Sequence, residues 1–222
     1  MEIIPSILTN NPVEAKELLS RCEDAARLTE SELVNRISID IIDGKFVDNK
    51  TIDPLVLKDQ DITLMLDYQL MVNEPINWVQ KCIDGGADRI IGHIEKMTSQ
   101  FEFVTNVEKM GYKVGLGLDI GSDIRLVEED VVQSLDVILL MSYPAGFGGQ
   151  KLRNEVLEKV KQLNEIRKTD SLKYKIHVDG GITSDTINDV AKAGADEVSV
   201  GRRIFDGNLI TNIKNLLLKI RN

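Results

Sequence analysis

Eight short apolar runs, spread over the whole chain and separated by segments of helical period, constrain the fold more than any other feature. They are Ile3–Leu8, Ile37–Ile42, Thr63–Val72, Arg89–Ile94, Lys113–Leu118, Val137–Met141, Lys175–Val178 and Glu197–Val200. Runs this short, bounded by turn residues, read as buried strands. Between most of them lie amphipathic stretches. Leu152, Val156, Val160, Leu163 and Ile166 recur at helical spacing, as do Leu209, Ile213, Leu216, Leu217 and Ile220. Gly-Gly-Ala-Asp at 85–88 and Ala-Gly-Ala-Asp at 193–196 each close a helix and open the next strand. Strands alternating with helices imply a parallel sheet with right-handed crossovers. Eight such units in 222 residues predict one domain, 1–222, folded as an α/β (β/α)8 TIM barrel of eight strands and eight helices. An open doubly wound sheet is the alternative. Its glycine-rich first turn is missing, because Ser6-Ile7-Leu8-Thr9-Asn10 contains no glycine.

Composition narrows the partners. A net charge of −9 leaves no lysine and arginine excess to neutralise phosphates, which speaks against nucleic-acid binding. An anionic small molecule would need a locally positive or amide-lined pocket. No apolar run reaches the roughly 18 to 20 residues needed to span a bilayer, so no membrane role is expected. Met1-Glu2-Ile3-Ile4-Pro5 has no basic n-region, so no secretory signal is expected either. Cys22 and Cys82 lack metal spacing and read as reduced structural thiols of a cytoplasmic protein.

Barrel chemistry sits at the carboxyl ends of the strands. Ile37, Ile39 and Ile41 share one face of the second strand and should point out to the helices, which turns Ser38, Asp40 and Ile42 inward. The same alternation groups Asp67, Gln69 and Met71 on the third strand, and His177 with Asp179 on the seventh. Asp40, Gln69 and Asp179 should all reach the mouth. Each aspartate precedes or approaches an Asp-Gly turn and could simply cap it. Two inward aspartates on separate strands favour paired acid–base work instead. Glycines cluster after the late strands, at Gly146, Gly148 and Gly149, at Gly180 and Gly181, and at Gly201. Backbone amides and helix amino termini there would cradle a phosphate, with Arg202 and Arg203 adding charge. His93 is read as structural, and Met65, Met71 and Met141 as barrel core.

These residues together resemble the ribulose-phosphate 3-epimerase family. The likeness runs nearly end to end, through Pro5-Ser6-Ile7-Leu8, Asp40-Ile41-Ile42-Asp43-Gly44-Lys45-Phe46-Val47-Asp48-Asn49 and Leu70-Met71-Val72. It continues through Gly146-Phe147-Gly148-Gly149-Gln150-Lys151, Val178-Asp179-Gly180-Gly181-Ile182 and Gly201 with Ile204-Phe205. The resemblance implies a ribulose-phosphate-binding TIM barrel that epimerises a phosphorylated ketose at C3. Asp40 and Asp179 would act as acid and base, with Ser6 and the glycine loops against the substrate. It also implies a homo-oligomer.

The family's divalent metal is held by those aspartates and two histidines, and the histidine positions fall on Ser38 and Gln69. Pro144-Ala145 and Arg202 also depart from the family pattern. Imidazole suits zinc or iron, whereas oxygen donors suit harder, more easily lost ions. No metal is therefore assigned. His177 lies about 6.6 Å deeper than Asp179, two residues of roughly 3.3 Å rise, and does not replace either imidazole. A decarboxylase or aldol-type barrel would be expected to place a lysine two residues after Asp40, but position 42 is isoleucine. Two readings follow: a C3 epimerase of ribulose 5-phosphate, xylulose 5-phosphate or a related ketohexose 6-phosphate, or a divergent barrel that binds a sugar phosphate without epimerising it.

Overall fold

The computed structural model describes residues 1–29 and 32–220. Eight parallel strands pair in chain order: β1 (Glu2–Ile7), β2 (Arg36–Ile42), β3 (Met65–Met71), β4 (Arg89–His93), β5 (Lys113–Leu118), β6 (Val137–Met141), β7 (Lys175–Asp179) and β8 (Glu197–Val200). β8 pairs back onto β1 and closes the barrel, as the alternating pattern predicts. Ile37, Ile39 and Ile41 are fully buried in the layer between sheet and helices. Burial of each such side chain contributes roughly 1.5–3 kcal/mol, which holds the register of β2 and turns Asp40 inward.

Six α-helices pack outside: α1 (Pro12–Leu28), α2 (Val79–Asp84), α3 (Gln100–Lys109), α4 (Glu155–Thr169), α5 (Ile187–Ala193) and α6 (Leu209–Ile220). α1 starts where the Asn11 side chain accepts from the backbone N–H groups of Val13 and Glu14, with Pro12 in the first turn. It buries Ala15, Leu19, Cys22, Ala25 and Ala26 against the sheet. Cys22 and Cys82 are both buried free thiols.

The expected eight helices are thus six among the described residues. The β2–β3 and β5–β6 crossovers carry short 3-10 turns instead, Pro54–Leu57, Ile124–Leu126 and Val132–Ser134. Asp53 and Asp123 accept from the backbone N–H two residues on, at 3.1 and 2.9 Å. Both aspartates cap the starts of these turns as Asn11 caps α1, and neither turn runs on into an α-helix. Leu152 likewise falls outside α4, which begins at Glu155. No described helix is long and apolar enough to cross a membrane.

The barrel interior divides in two. One side is apolar, with Ile42, Met71, Ile91, Val137, Leu139 and Met141 packed together. The amino-terminal end of the strands is a buried ion ladder. Asp67 pairs with both Arg36 and Arg89. Arg89 Nη2 lies 2.7 Å from Glu197 Oε2, and Lys175 Nζ lies 2.6 Å from Glu197 Oε1. Met65, read as core, is half-buried at this end with its sulfur 3.0 Å from Arg36 Nη2.

Candidate active site

Asp40 lies near the carboxyl end of β2, and Asp179 is the last residue of β7. Both line one cavity of about 620 Å³ at the mouth of the barrel. They are only 5% and 7% exposed, which makes their charge costly. Ser6 donates to Asp40 Oδ2 at 2.9 Å, and Ser38 donates to Oδ1 at 3.4 Å. Burial, reinforced by the Asp179 charge, holds the Asp40 carboxyl well above its usual range despite these two hydroxyls. Burial also raises Asp179, against opposing effects of His177, Gln69 and His93. Two buried carboxylates in one cavity favour sharing a proton, so the pair can present an acid and a base together.

The glycine loops reach the same cavity. Gly148, Gly149, Gly180, Gly181, Gly201 and Arg202 line it with Ser6, and Arg203 joins them at the rim. Gly146 does not. Its carbonyl accepts from Asn49 Nδ2 at 2.6 Å, and a Cβ there would lie 2.4 Å from a Val47 methyl. It fastens the loop after β6 to the loop after β2. Gly181 adopts φ +63°, and a Cβ there would lie 2.3 Å from the Leu152 backbone nitrogen. Gly201 has open space around the Cβ position, so its bareness serves the cavity rather than the packing. The helix amino termini expected at the cradle are absent from it. α5 starts only at Ile187, and Gly201 is followed by a 3-10 turn, Arg202–Phe205. Loop glycines and arginines, not helix amino termini, line this part of the cavity.

The structure adds two residues that the sequence reading passed over, Tyr143 and Ser199, both lining the cavity. Tyr143 continues the inward alternation of Leu139 and Met141 past the end of β6, and following that period two residues further would have found it. Burial and then the charges of Asp179 and Asp40 push its phenol up, so it stays a hydrogen-bond donor. His93 is fully buried and does not line the cavity. Its Nδ1 lies 3.3 Å from Glu95 Oε2, its Nε2 lies 3.2 Å from Gln69 Nε2, and its ring meets Phe46 edge-on.

The donor set does not fit a tightly bound zinc or iron. Ser38 and Gln69 are fully buried, and neither lines the cavity. The Ser38 hydroxyl is turned to Asp40, and Gln69 Nε2 to His93 and the Met141 sulfur, which leaves Gln69 Oε1 without a partner among the described residues. Among the described residues, no three His, Cys, Asp or Glu side chains group as a metal site.

The fold and this cavity define a class: a TIM barrel with two buried aspartates and a row of loop glycines lining one cavity at its mouth. Comparison with known proteins gives the family. The model of the Ribulose-phosphate 3 epimerase family matches residues 2–205. A ribulose-phosphate 3-epimerase of Bacillus subtilis is 34% identical over 172 residues, covering 76% of this chain and 79% of that protein. One of Mycobacterium leprae is 32% identical over 202 residues, covering 87% of this chain and 88% of that protein. Among solved structures, a 3-hexulose-6-phosphate synthase superposes with a TM-score of 0.67 at 15% identity, covering 99% of this chain and 100% of that one, and supports the fold alone. The chain belongs to the ribulose-phosphate 3-epimerase family, and so to the isomerase-class sugar-phosphate epimerases.

Proposed function

We propose that this chain epimerises a phosphorylated ketose at C3, ribulose 5-phosphate and xylulose 5-phosphate or a related ketohexose 6-phosphate. The observation that carries the proposal is the pairing of Asp40 and Asp179, both raised by burial and both lining one cavity with the glycine loops. The ionised member of the pair removes the C3 proton. The electrons of that C–H bond move to the C2 carbonyl oxygen and form an enediolate. The protonated member returns a proton to the opposite face of C3, and the carbonyl re-forms. The amides of Gly148, Gly149, Gly181 and Gly201 hold the phosphate, with Arg202 at the rim.

Enediolate charge needs a donor in the dry site. We assign the Tyr143 hydroxyl to that task, because it lines the cavity beside both aspartates. We propose further that the protein does not hold zinc or iron tightly, given Ser38 and Gln69 in the positions where the family resemblance implies imidazoles. Purified protein should carry well below one equivalent of either metal by elemental analysis. Stoichiometric zinc that survives dialysis against chelator would overturn this.

Those same two replacements support a second reading, a barrel that binds the sugar phosphate and no longer turns it over. Incubation with ribulose 5-phosphate in heavy water separates the two. The epimerase loses the C3 proton signal by NMR. A binding relic holds the ligand and leaves that proton in place.

A further inference from the structure

Beneath the cavity, three side chains that the proton transfer leaves unused stand in line. β7 and β8 pair with His177 opposite Glu197 and Asp179 opposite Ser199. All four side chains point into the barrel, so Ser199 sits beside Asp179 with His177 below it. Ser199 Oγ lies 2.8 Å from His177 Nε2. His177 Nδ1 has no hydrogen-bond partner among the described residues and faces Glu197 Oε2 at 3.4 Å. His177 and Glu197 are fully buried, and Ser199 lines the cavity.

The chemistry of this row assigns a direction to each group. Glu197 accepts from Arg89 at 2.7 Å and from Lys175 at 2.6 Å, which fixes it as an ionised acceptor. A carboxylate facing Nδ1 attracts an N–H and repels a lone pair, so in the neutral imidazole the one ring proton belongs on Nδ1. Nε2 is then an acceptor, and the Ser199 hydroxyl donates its hydrogen to it. The oxygen of Ser199, a residue that is 1% exposed and lines the cavity, is left with lone pairs free to accept. A serine held this way reads one chemical feature, a hydroxyl that donates to it.

We propose that Ser199 is a specificity-determining residue that accepts a hydrogen bond from a hydroxyl of the sugar, with His177 and Glu197 positioning it. This rests on the sugar-phosphate reading above and names how the site tells a polyhydroxy phosphate from a plain phosphate ester. A site with a fixed acceptor leaves that acceptor unpaired when the ligand has no hydroxyl, which penalises the wrong ligand.

Calorimetric binding tests it without depending on turnover. The ligands are ribulose 5-phosphate and propyl phosphate, an ester with no hydroxyl on its carbon chain. Ser199→Ala should weaken ribulose 5-phosphate at least tenfold and leave propyl phosphate within twofold. His177→Phe keeps the ring volume but loses both nitrogens, and it should do the same. The double variant should be no worse than either single one, because both remove the same oriented oxygen. Ser199→Thr, which keeps the hydroxyl, should recover most of the affinity. Equal loss for both ligands, loss for neither, or additive losses would overturn the assignment. Failure of the epimerase reading shows separately, as no C3 exchange in a wild type that still prefers ribulose 5-phosphate through Ser199.

Discussion

The two ends of this barrel bury carboxylates in opposite settings. At the amino-terminal end, Asp67 and Glu197 are fully buried, and each touches two cations, drawn from Arg36, Arg89 and Lys175. Burial opposes ionisation of Glu197, but His177 and Arg89 hold it well below its usual range. Burial likewise opposes the charge on Arg89, yet Asp67 and Glu197 hold that guanidinium above its usual value. At the mouth, Asp40 and Asp179 are nearly as buried and receive hydroxyl and amide neighbours but no lysine or arginine ion pair among the described residues. Buried carboxyls are therefore matched by cations at one end, where Glu197 is lowered, and left without them at the other, where Asp40 and Asp179 are raised. Compensation makes a buried carboxylate structural. Its absence leaves a raised carboxyl, the state that the proposed acid–base pair needs.

Activity gives the largest expected effect. Asp40→Asn or Asp179→Asn should each lower C3 exchange by about 10²–10⁴-fold, because an amide neither takes nor returns the proton. The comparison also predicts the sign of the stability change. The folded pKa of Asp40 lies above its unfolded value of about 3.9, so the folded state binds more protons in that window. Stability from this group is fully present below that value and falls as pH rises through the folded pKa. Asp40→Asn should therefore raise the unfolding free energy at neutral pH, by about 0.5–2 kcal/mol, and flatten that slope. Glu197 works the other way, since its depressed pKa adds stability above about 4.3 that is lost as pH falls. A destabilised Asp40→Asn protein in chemical denaturation would show that the mouth is compensated after all.

Next in size is Arg89→Met. It removes the cation shared by Asp67 and Glu197 and leaves Asp67 with Arg36 and Glu197 with Lys175 and the His177 ring. The expected loss is about 3–5 kcal/mol by urea denaturation, the range for breaking a buried ion pair. A loss under about 1 kcal/mol would mean that the ladder is no more than a surface-like pairing and would remove the contrast between the ends.

Tyr143→Phe should cost about 10²-fold in kcat, as removal of one oxyanion donor does, with little change in KM. Equal falls in affinity for product and substrate with kcat unchanged would make Tyr143 a wall of the cavity and return the question of the electrophile to the mouth.

The sequence carried the barrel clearly, because alternation of apolar period survives without any knowledge of partners. The outward Ile37, Ile39 and Ile41 settle which way Asp40 points. The inward set was legible only where a strand was long enough to count along. Tyr143 lies beyond the end of β6, where the period continues but the strand does not. The ion ladder was illegible for a different reason. Arg36, Asp67 and Arg89 meet through the register of neighbouring strands, which sequence alone does not state, and only closure of the barrel brings Glu197 of β8 to Arg89 of β4. The missing helices were illegible because Asp53 and Asp123 cap the starts of their 3-10 turns as Asn11 caps α1, and a cap does not state how far the turn will run. Gly146 shows the limit of motif reading, since a glycine inside a phosphate-loop pattern serves a contact with Val47 instead.

The smallest expected effect separates the two jobs that glycine does at the mouth. Gly181→Val would drive a side chain into the Leu152 backbone and change the loop itself, so loss of binding there would say nothing about the phosphate. Gly201 meets nothing within 4 Å of a Cβ and has no left-handed backbone to strain. A methyl at Gly201 projects into solvent or into the anion's place and nowhere else. Gly201→Ala should keep the thermal midpoint and weaken inorganic phosphate about tenfold, or about 1.4 kcal/mol, by displacing the anion from the nearby amides. Arg202→Ala should weaken it less, because an exposed guanidinium acts through screened charge, and the difference should shrink further at high salt. Unchanged phosphate affinity in Gly201→Ala, with Arg202→Ala the more damaging, would move the anion from the amide loops to the arginine rim. The mouth would then hold its ligand with cations, as the base holds its carboxylates, and the contrast between the two ends would rest on the aspartates alone.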